Sequence, residues 1–147
     1  MTGVAIGMAL AGLRPIHVHI RMDFLLLAMN QLVNIAAKTH YMYGGHVHLP
    51  IVVRSMIGKS WGQGAQHSQG LYAFFMHVPG LKVVIPSNAY DAKGLMISAI
   101  RDDSPVMFFF HKGIMGLPWM AYFEGSTNDV PAEPYAIPFG PSRGDPP

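Results

Sequence analysis

The feature that most constrains the fold is a regular alternation of short apolar runs with longer helical segments. The run Ile51-Val52-Val53 contains no polar residue, which is typical of a strand buried on both faces. Strands that alternate with helices predict a parallel sheet covered on both sides, so the expected class is a doubly wound α/β fold. The predicted strands span residues 16–20, 50–54, 82–85, 105–110 and 135–139. The predicted helices span residues 2–13, 24–41, 71–78 and 88–101.

The 147 residues are enough for one domain with a substantial core. Half of them are hydrophobic, only 12% are charged, and 11 are methionine. A small monomer needs a polar surface, so this sparse charge indicates that another chain covers part of the apolar surface. The net charge of +2, with scattered Lys and Arg, argues against nucleic-acid binding. The absence of cysteine excludes a disulfide framework and a zinc ribbon.

Two of the predicted helices carry information about packing. Gly3, Gly7 and Gly12 lie in or at the end of the first helix, where each interior glycine costs about 1 kcal/mol, so they predict a close backbone approach. The segment 24–41 is apolar almost all round, which predicts a central rather than a surface helix. Its longest apolar stretch is too short and too polar to span a bilayer, and the N-terminus lacks the basic region of a signal peptide. We expect no membrane association and no targeting segment.

Histidine pairs suggest a metal site as one hypothesis. His17 and His19, like His46 and His48, have the i,i+2 spacing that places two side chains on the same face of a strand. Two such pairs could hold a metal ion if the fold brought them together. The alternative is that they are surface or interface histidines, and the lack of nearby acidic or cysteine ligands favours this alternative.

Five strings, in register from about residue 3 to residue 140, resemble the beta subunits of the thiamine-diphosphate-dependent component of 2-oxo acid dehydrogenases. The resemblance implies a transketolase-like pyrimidine-binding domain over residues 1–140 with a truncated N-terminus. It also implies a loose tail over residues 141–147 and the absence of the family's C-terminal domain. The strings are ALAGLRPI, AAKTHYMYGG, GAQHSQ, HVPGLKVVIPSNAYDAKGL and AIRDDSPV.

The resemblance implies a cofactor site shared between two subunits. This chain would grip the aminopyrimidine of thiamine diphosphate, and an alpha-type subunit would hold the diphosphate through magnesium. No Gly-Asp-Gly followed by a suitably spaced Asn occurs here, so we expect no metal–diphosphate site on this chain. The other implied partners are a second beta copy and the lipoyl domain of the acyltransferase component. The implied reaction is oxidative decarboxylation of a 2-oxo acid, in the bacterial cytoplasm or the mitochondrial matrix.

The resemblance also implies roles for Phe24 and His67. Phe24 matches the aromatic residue that packs on the aminopyrimidine ring, although by composition alone it would pass for an ordinary core residue. His67 matches an active-site histidine near the substrate and the lipoyl entry. An imidazole group suits proton transfer, whereas a histidine in a Gly-, Gln- and Ser-containing loop is more often simply solvated.

A potassium site is implied at the C-terminal end of the helix that ends at residue 101. Relatives bind this ion largely through backbone carbonyls, and a helix C-terminus directs free carbonyls towards a cation. A water-filled turn is an equally good interpretation. The matching residues are Ile51, Ala99, Ile100, Asp102 and Ser104.

Two departures from the family pattern bear on function. The family's catalytic glutamate aligns about three residues before Met1, and Asp23 is no substitute for it. Arg21 and Met22 stand where relatives have other residues, which puts the fit of the cofactor in doubt. We therefore expect the chain to be inactive alone. Two hypotheses follow, a part of a 2-oxo acid dehydrogenase or a non-catalytic interaction module that has lost the glutamate.

Overall fold

The computed structural model describes residues 1–59, 61–115 and 129–140, and at its centre lies a four-stranded parallel sheet. Its spatial order is β1-β2-β4-β3, and β2 pairs with β4 without a break from Val52 to Ile57. The strands are β1 (Ile16–Arg21), β2 (Val52–Ile57), β3 (Lys82–Val84) and β4 (Val106–His111). The α-helices in the described residues are α1 (Thr2–Leu10), α2 (Ala37–Met42), α3 (Tyr72–Met76) and α4 (Ala89–Arg101). The predicted parallel α/β class is confirmed.

Helices cover both faces of the sheet. On one face, Met107 and Phe109 of β4 join a core built with α1, α3 and the segment that precedes α2. On the other face, Val106 and Phe108 pack against Ala99 of α4. Because both faces are buried around β4, this strand is apolar at consecutive positions from Val106 to Phe110. The edge strand β1 instead alternates apolar and polar residues.

Helix α4 begins where the sequence predicts. Asn88 is its N-cap, and the Asn88 Oδ1 atom accepts a hydrogen bond of 2.8 Å from the backbone N–H of Asp91. Leu95, Met96 and Ile100 pack on the same sheet face as Ala99. The N-cap therefore lies where the predicted helix begins, and the apolar side of the helix faces the sheet.

The segment between β1 and α2 differs from the prediction of one central α-helix over residues 24–41. The chain forms a 3-10 helix (Met22–Ala28), then a π-helix (Asn30–Ala36), then α2. Leu25 and Leu32 are fully buried, but Leu27 is 86% exposed, so the segment lies at the surface of this chain. One sheet face buries only one side of a helix, and the apolar residues on the other side stay exposed. The prediction of a central position is wrong.

One further prediction stays a prediction and another is wrong. Within the described residues, nothing lies within 4 Å of a Cβ atom built on Gly3, Gly7 or Gly12, so the described part of this chain makes no close approach there, and an approach by another chain stays a prediction. Residues 135–139 form no strand, because this segment runs along α4 and not beside an edge strand. The backbone N–H of Ile137 donates to the carbonyl oxygen of Gly94 at 3.1 Å.

Among the described residues, no helix is long and apolar enough to cross a bilayer. The tail predicted over residues 141–147 lies outside the described residues. The domain extent of 1–140 stays a prediction.

Gly80→Ala should destabilise the fold, whereas Gly7→Ala should not. Gly80 has a φ of +96°, and a Cβ atom there would overlap the carbonyl oxygen of Ala37. We expect this substitution to lower the free energy of unfolding by about 2–4 kcal/mol. Gly7 lies in α1 with open space around its Cβ position, so alanine there should raise the free energy of unfolding by about 0.5–1 kcal/mol. Urea unfolding followed by circular dichroism measures both, and equal midpoints for the two variants would contradict the prediction.

Candidate functional site

A cleft of about 470 Å³ opens at the carboxyl end of β1. Parallel α/β sheets place their binding clefts at this end of the strands, where the connecting loops converge. The cleft contains both Phe24 and His67, so the structure brings together two site residues that the sequence places on separate elements. Its lining residues are Val18, His19, Ile20, Arg21, Phe24 and His67.

The rings of Phe24 and His67 are in edge-to-face contact. Their centroids lie 5.2 Å apart, with the planes at 73°. Phe24 is 42% exposed in the 3-10 helix after β1, and His67 is half-buried at the end of a second 3-10 helix, Ala65–His67. An open aromatic ring beside an imidazole can bind a flat heteroaromatic ring and exchange a proton with it.

Arg21 lines the cleft, but Met22 does not. The Arg21 Nε–H donates to Oε1 of Gln63 at 2.9 Å, and the guanidinium carbon lies 5.9 Å from the centre of the Trp61 ring. Met22 is fully buried, and its sulfur accepts a hydrogen bond from the backbone N–H of Leu71. Arg21 therefore adds a positive charge to the cleft, whereas Met22 belongs to the core.

Two buried charged residues lie behind the cleft. Asp23 is 8% exposed, and its Oδ1 atom accepts from the backbone and side-chain N–H groups of Gln69 at 3.2 and 2.8 Å. Lys112 is 0% exposed, and its Nζ atom donates to the carbonyl oxygen of His67 at 2.5 Å. Burial and the charge of Arg21 lower the pKa of Lys112, while Asp23 opposes that shift. Lys112 was not predicted from the sequence, where its only signal is its place directly after β4.

The structure brings together one of the two histidine pairs. The Nε2 atoms of His17 and His19 lie 2.9 Å apart, and Oγ1 of Thr2 lies 3.0 Å from the first and 3.4 Å from the second. His48 instead packs its ring on His40 at 5.1 Å. No group of three or more His, Cys, Asp or Glu side chains in the described residues could hold a metal ion, so the four-histidine site is not formed.

The residues predicted to bind potassium lie around the C-terminal end of α4. The carbonyl oxygens of Ile100 and Asp102 both accept from Nη1 of Arg14 at 3.0 Å, so they converge on one point. The Ile51 carbonyl accepts from the backbone N–H of Val106 at 2.9 Å. Arg14 also forms an ion pair with Asp103. The turn therefore gathers carbonyls around a cationic group.

The His17–His19 pair should make stability depend on pH. Burial lowers the pKa of both from 6.5, and the charge of His17 lowers that of His19 further. The unfolded chain then takes up protons at a higher pH than the folded chain, so stability present above about pH 6.5 is lost as the pH falls. We expect the double variant His17→Asn/His19→Asn to show a flatter dependence of Tm between about pH 7 and 5. The exposed control His46→Asn should keep the slope, and a double variant that also keeps it would contradict the prediction.

Known proteins and one protein family match most of the chain. The family described as "Transketolase, pyrimidine binding domain" matches residues 1–117. The beta subunit of acetoin:2,6-dichlorophenolindophenol oxidoreductase from Cupriavidus necator is 49% identical, over 94% of this chain and 38% of that protein. The pyruvate dehydrogenase E1 component subunit beta from Rickettsia bellii is 48% identical, over 96% of this chain and 41% of that protein. The human mitochondrial counterpart is 45% identical, over 96% and 38%.

A solved structure described as "Split gene transketolase, inactive beta4 tetramer" is similar with a TM-score of 0.59. It is 20% identical and covers 75% of this chain and 33% of that one, so it supports the fold alone. The chain spans about two fifths of the length of the curated relatives that it matches. The resemblance found in the sequence strings is therefore confirmed at the level of the family.

Proposed function

The chain belongs to the transketolase pyrimidine-binding domain family, and on that premise we propose that it forms the aminopyrimidine side of a thiamine-diphosphate site. The enzyme would be a 2-oxo acid dehydrogenase of the pyruvate or acetoin type, in which this chain is part of the beta subunit. The contact of Phe24 with His67 inside one cleft is the observation that carries the proposal. The reaction would be oxidative decarboxylation of a 2-oxo acid, with transfer of the acyl group to a lipoyl group.

The residues of the cleft fit an aminopyrimidine. Val18 and Ile20 give it an apolar side, and Phe24 offers an exposed aromatic ring for stacking. When bound, thiamine diphosphate supplies a thiazolium carbon that adds to the 2-oxo acid and stabilises the negative charge left by decarboxylation. Phe24 would orient the pyrimidine ring, and an imidazole nitrogen of His67 would hold or deliver a proton at the substrate side.

The cleft holds histidine and arginine side chains but no carboxylate among its described lining residues. Asp23 is buried behind the cleft and its Oδ1 atom is bonded to Gln69, which supports the expectation that Asp23 is no substitute for the family's glutamate. We therefore propose that residues 1–147 are inactive alone. The interaction-module hypothesis is less favoured, because a chain that only docked would not need Phe24 and His67 together in an open cleft.

Exposed apolar residues support the proposal that partner subunits cover part of this chain. On β1, Ile16, Val18 and Ile20 are 46, 49 and 69% exposed, and on α1 Val4 is 60% exposed. Apolar patches of this kind mark surfaces that other chains cover. We propose that an alpha-type subunit, which would hold magnesium and the diphosphate, and a second beta copy cover them. The lipoyl domain of the acyltransferase would approach from the open side of the cleft.

The proposed compartment is the bacterial cytoplasm or the mitochondrial matrix. The relatives from Cupriavidus and Rickettsia are bacterial proteins, and the human relative is described as mitochondrial.

Phe24→Ala should weaken binding of thiamine diphosphate. Truncation removes the stacking face, so we expect the dissociation constant to rise by roughly 10-fold or more. Isothermal titration with thiamine diphosphate and magnesium, on the chain paired with an alpha-type subunit, measures it. The control Phe74→Ala removes an exposed phenylalanine of α3 and should leave the affinity unchanged. No binding by the wild-type pair, with tight pairing retained, would support the interaction module instead.

Potassium should stabilise the chain more than sodium does. Ile100 and Asp102 direct carbonyl oxygens to one point at the end of α4. A carbonyl oxygen carries two lone pairs, so one that already accepts a hydrogen bond can also bind an ion. We expect Tm to be roughly 2–5 °C higher in potassium chloride than in sodium chloride at equal ionic strength. Equal Tm values would mean that Arg14 already supplies the positive charge that these carbonyls need.

A further inference from the structure

We propose that Lys112 and Asp23 are positioning residues that hold the segment 67–69 so that His67 stays against Phe24 in the cleft. Neither residue lines the cleft, so each acts through the segment it binds. The consequence for cofactor binding rests on the proposed function, but the placement of His67 can be measured without any cofactor.

Lys112 holds the backbone of His67 itself. Its ammonium group is completely buried and donates to the carbonyl oxygen of His67, which lies 45 residues away in sequence. Burying an ammonium is costly, and lysine is seldom found fully buried without a specific partner. Nζ also lies 5.3 Å from the centre of the Trp61 ring, a cation–π distance. The buried charge is thus directed at one backbone atom of the predicted catalytic histidine.

Asp23 holds the other end of the segment. Its Oδ1 atom accepts two hydrogen bonds from Gln69, and its Oδ2 atom is buried without a hydrogen-bond partner in the described residues. Asp23 precedes Phe24 directly, so the bonds to Gln69 tie the base of the stacking residue to the loop that carries His67. A carboxylate also attracts the ammonium of Lys112, which is why Asp23 opposes the lowering of its pKa.

The two ties together restrict the movement of His67. The carbonyl of His67 is fixed by Lys112, and residue 69 is fixed by Asp23 and by a bond from the N–H of Gly58 to the carbonyl oxygen of Gln69 at 3.1 Å. These ties fix the backbone from which the His67 side chain extends towards the Phe24 ring. Charge-assisted hydrogen bonds are stronger than neutral ones, which suits them to this task.

Lys112→Met in the full chain removes the tie to the His67 backbone. It also leaves the buried Asp23 carboxylate without the nearby ammonium and the His67 carbonyl without its donor, so we expect Tm to fall. At the same time, the nuclear Overhauser effect between the Phe24 and His67 rings should be lost. Lys112→Arg, which keeps a charged donor, should retain much of this signal. The matched control Lys93→Met removes a lysine that also donates to backbone carbonyls, but beside residues 131–133, and should retain all of it.

A folded Lys112→Met protein with the Phe24–His67 signal at full strength would overturn the inference. If that variant does not fold, Gln69→Leu decides, since it removes one bond to Asp23 from an exposed position; an unchanged ring signal there would also overturn it. In the complex with an alpha-type subunit, Lys112→Met should weaken thiamine-diphosphate binding about tenfold. A third outcome separates the two proposals: Lys112→Met loses the ring signal, but even the wild-type complex binds no thiamine diphosphate. This outcome would support the positioning role and contradict only the proposed function.

Discussion

The parallel pairing of β2 with β4 between two helical layers is the constraint on which the rest of the structure depends. The pairing is continuous from Val52 to Ile57, and β1 and β3 extend it on either side. Parallel strands cannot be joined by tight turns, so each connection has to cross a face of the sheet. The crossings place α4 on one face and α1 and α3 on the other, which buries apolar residues on both faces.

The same constraint creates the cleft. In a parallel sheet all the carboxyl ends lie along one edge, so the residues that follow β1, β2 and β4 meet there although they are distant in sequence. Asp23 follows β1, the loop that carries His67 follows β2, and Lys112 follows β4. Asp23 and Lys112 are the charged residues among the buried side chains of the described chain, and both bind the segment 67–69. In a chain with few charges, their burial at one place argues for a local purpose.

Local signals in the sequence predicted the elements well but not all of their details. The helix predicted over 88–101 and the apolar run at 51–53 correspond to α4 and β2. Strand β2 starts later than predicted because the N–H of Ile51 bonds to the carbonyl oxygen of Leu49 in a turn, which delays the ladder until Val52. For the segment between β1 and α2, apolar composition could not distinguish 3-10, π and α geometry, because all three hydrogen-bond patterns accept the same residues.

The sequence by itself determined the class of fold, since burial on both faces appears directly as consecutive apolar residues in short runs. By resemblance it also indicated Phe24 and His67 as site residues. Only the tertiary structure decided that their rings touch, that Met22 belongs to the core while Arg21 faces the cleft, and that Lys112 is buried under His67. The physical reason is the distance along the sequence over which each signal acts. Hydrophobic periodicity and helix caps act over a few neighbouring residues, whereas these contacts depend on which strand ends lie side by side.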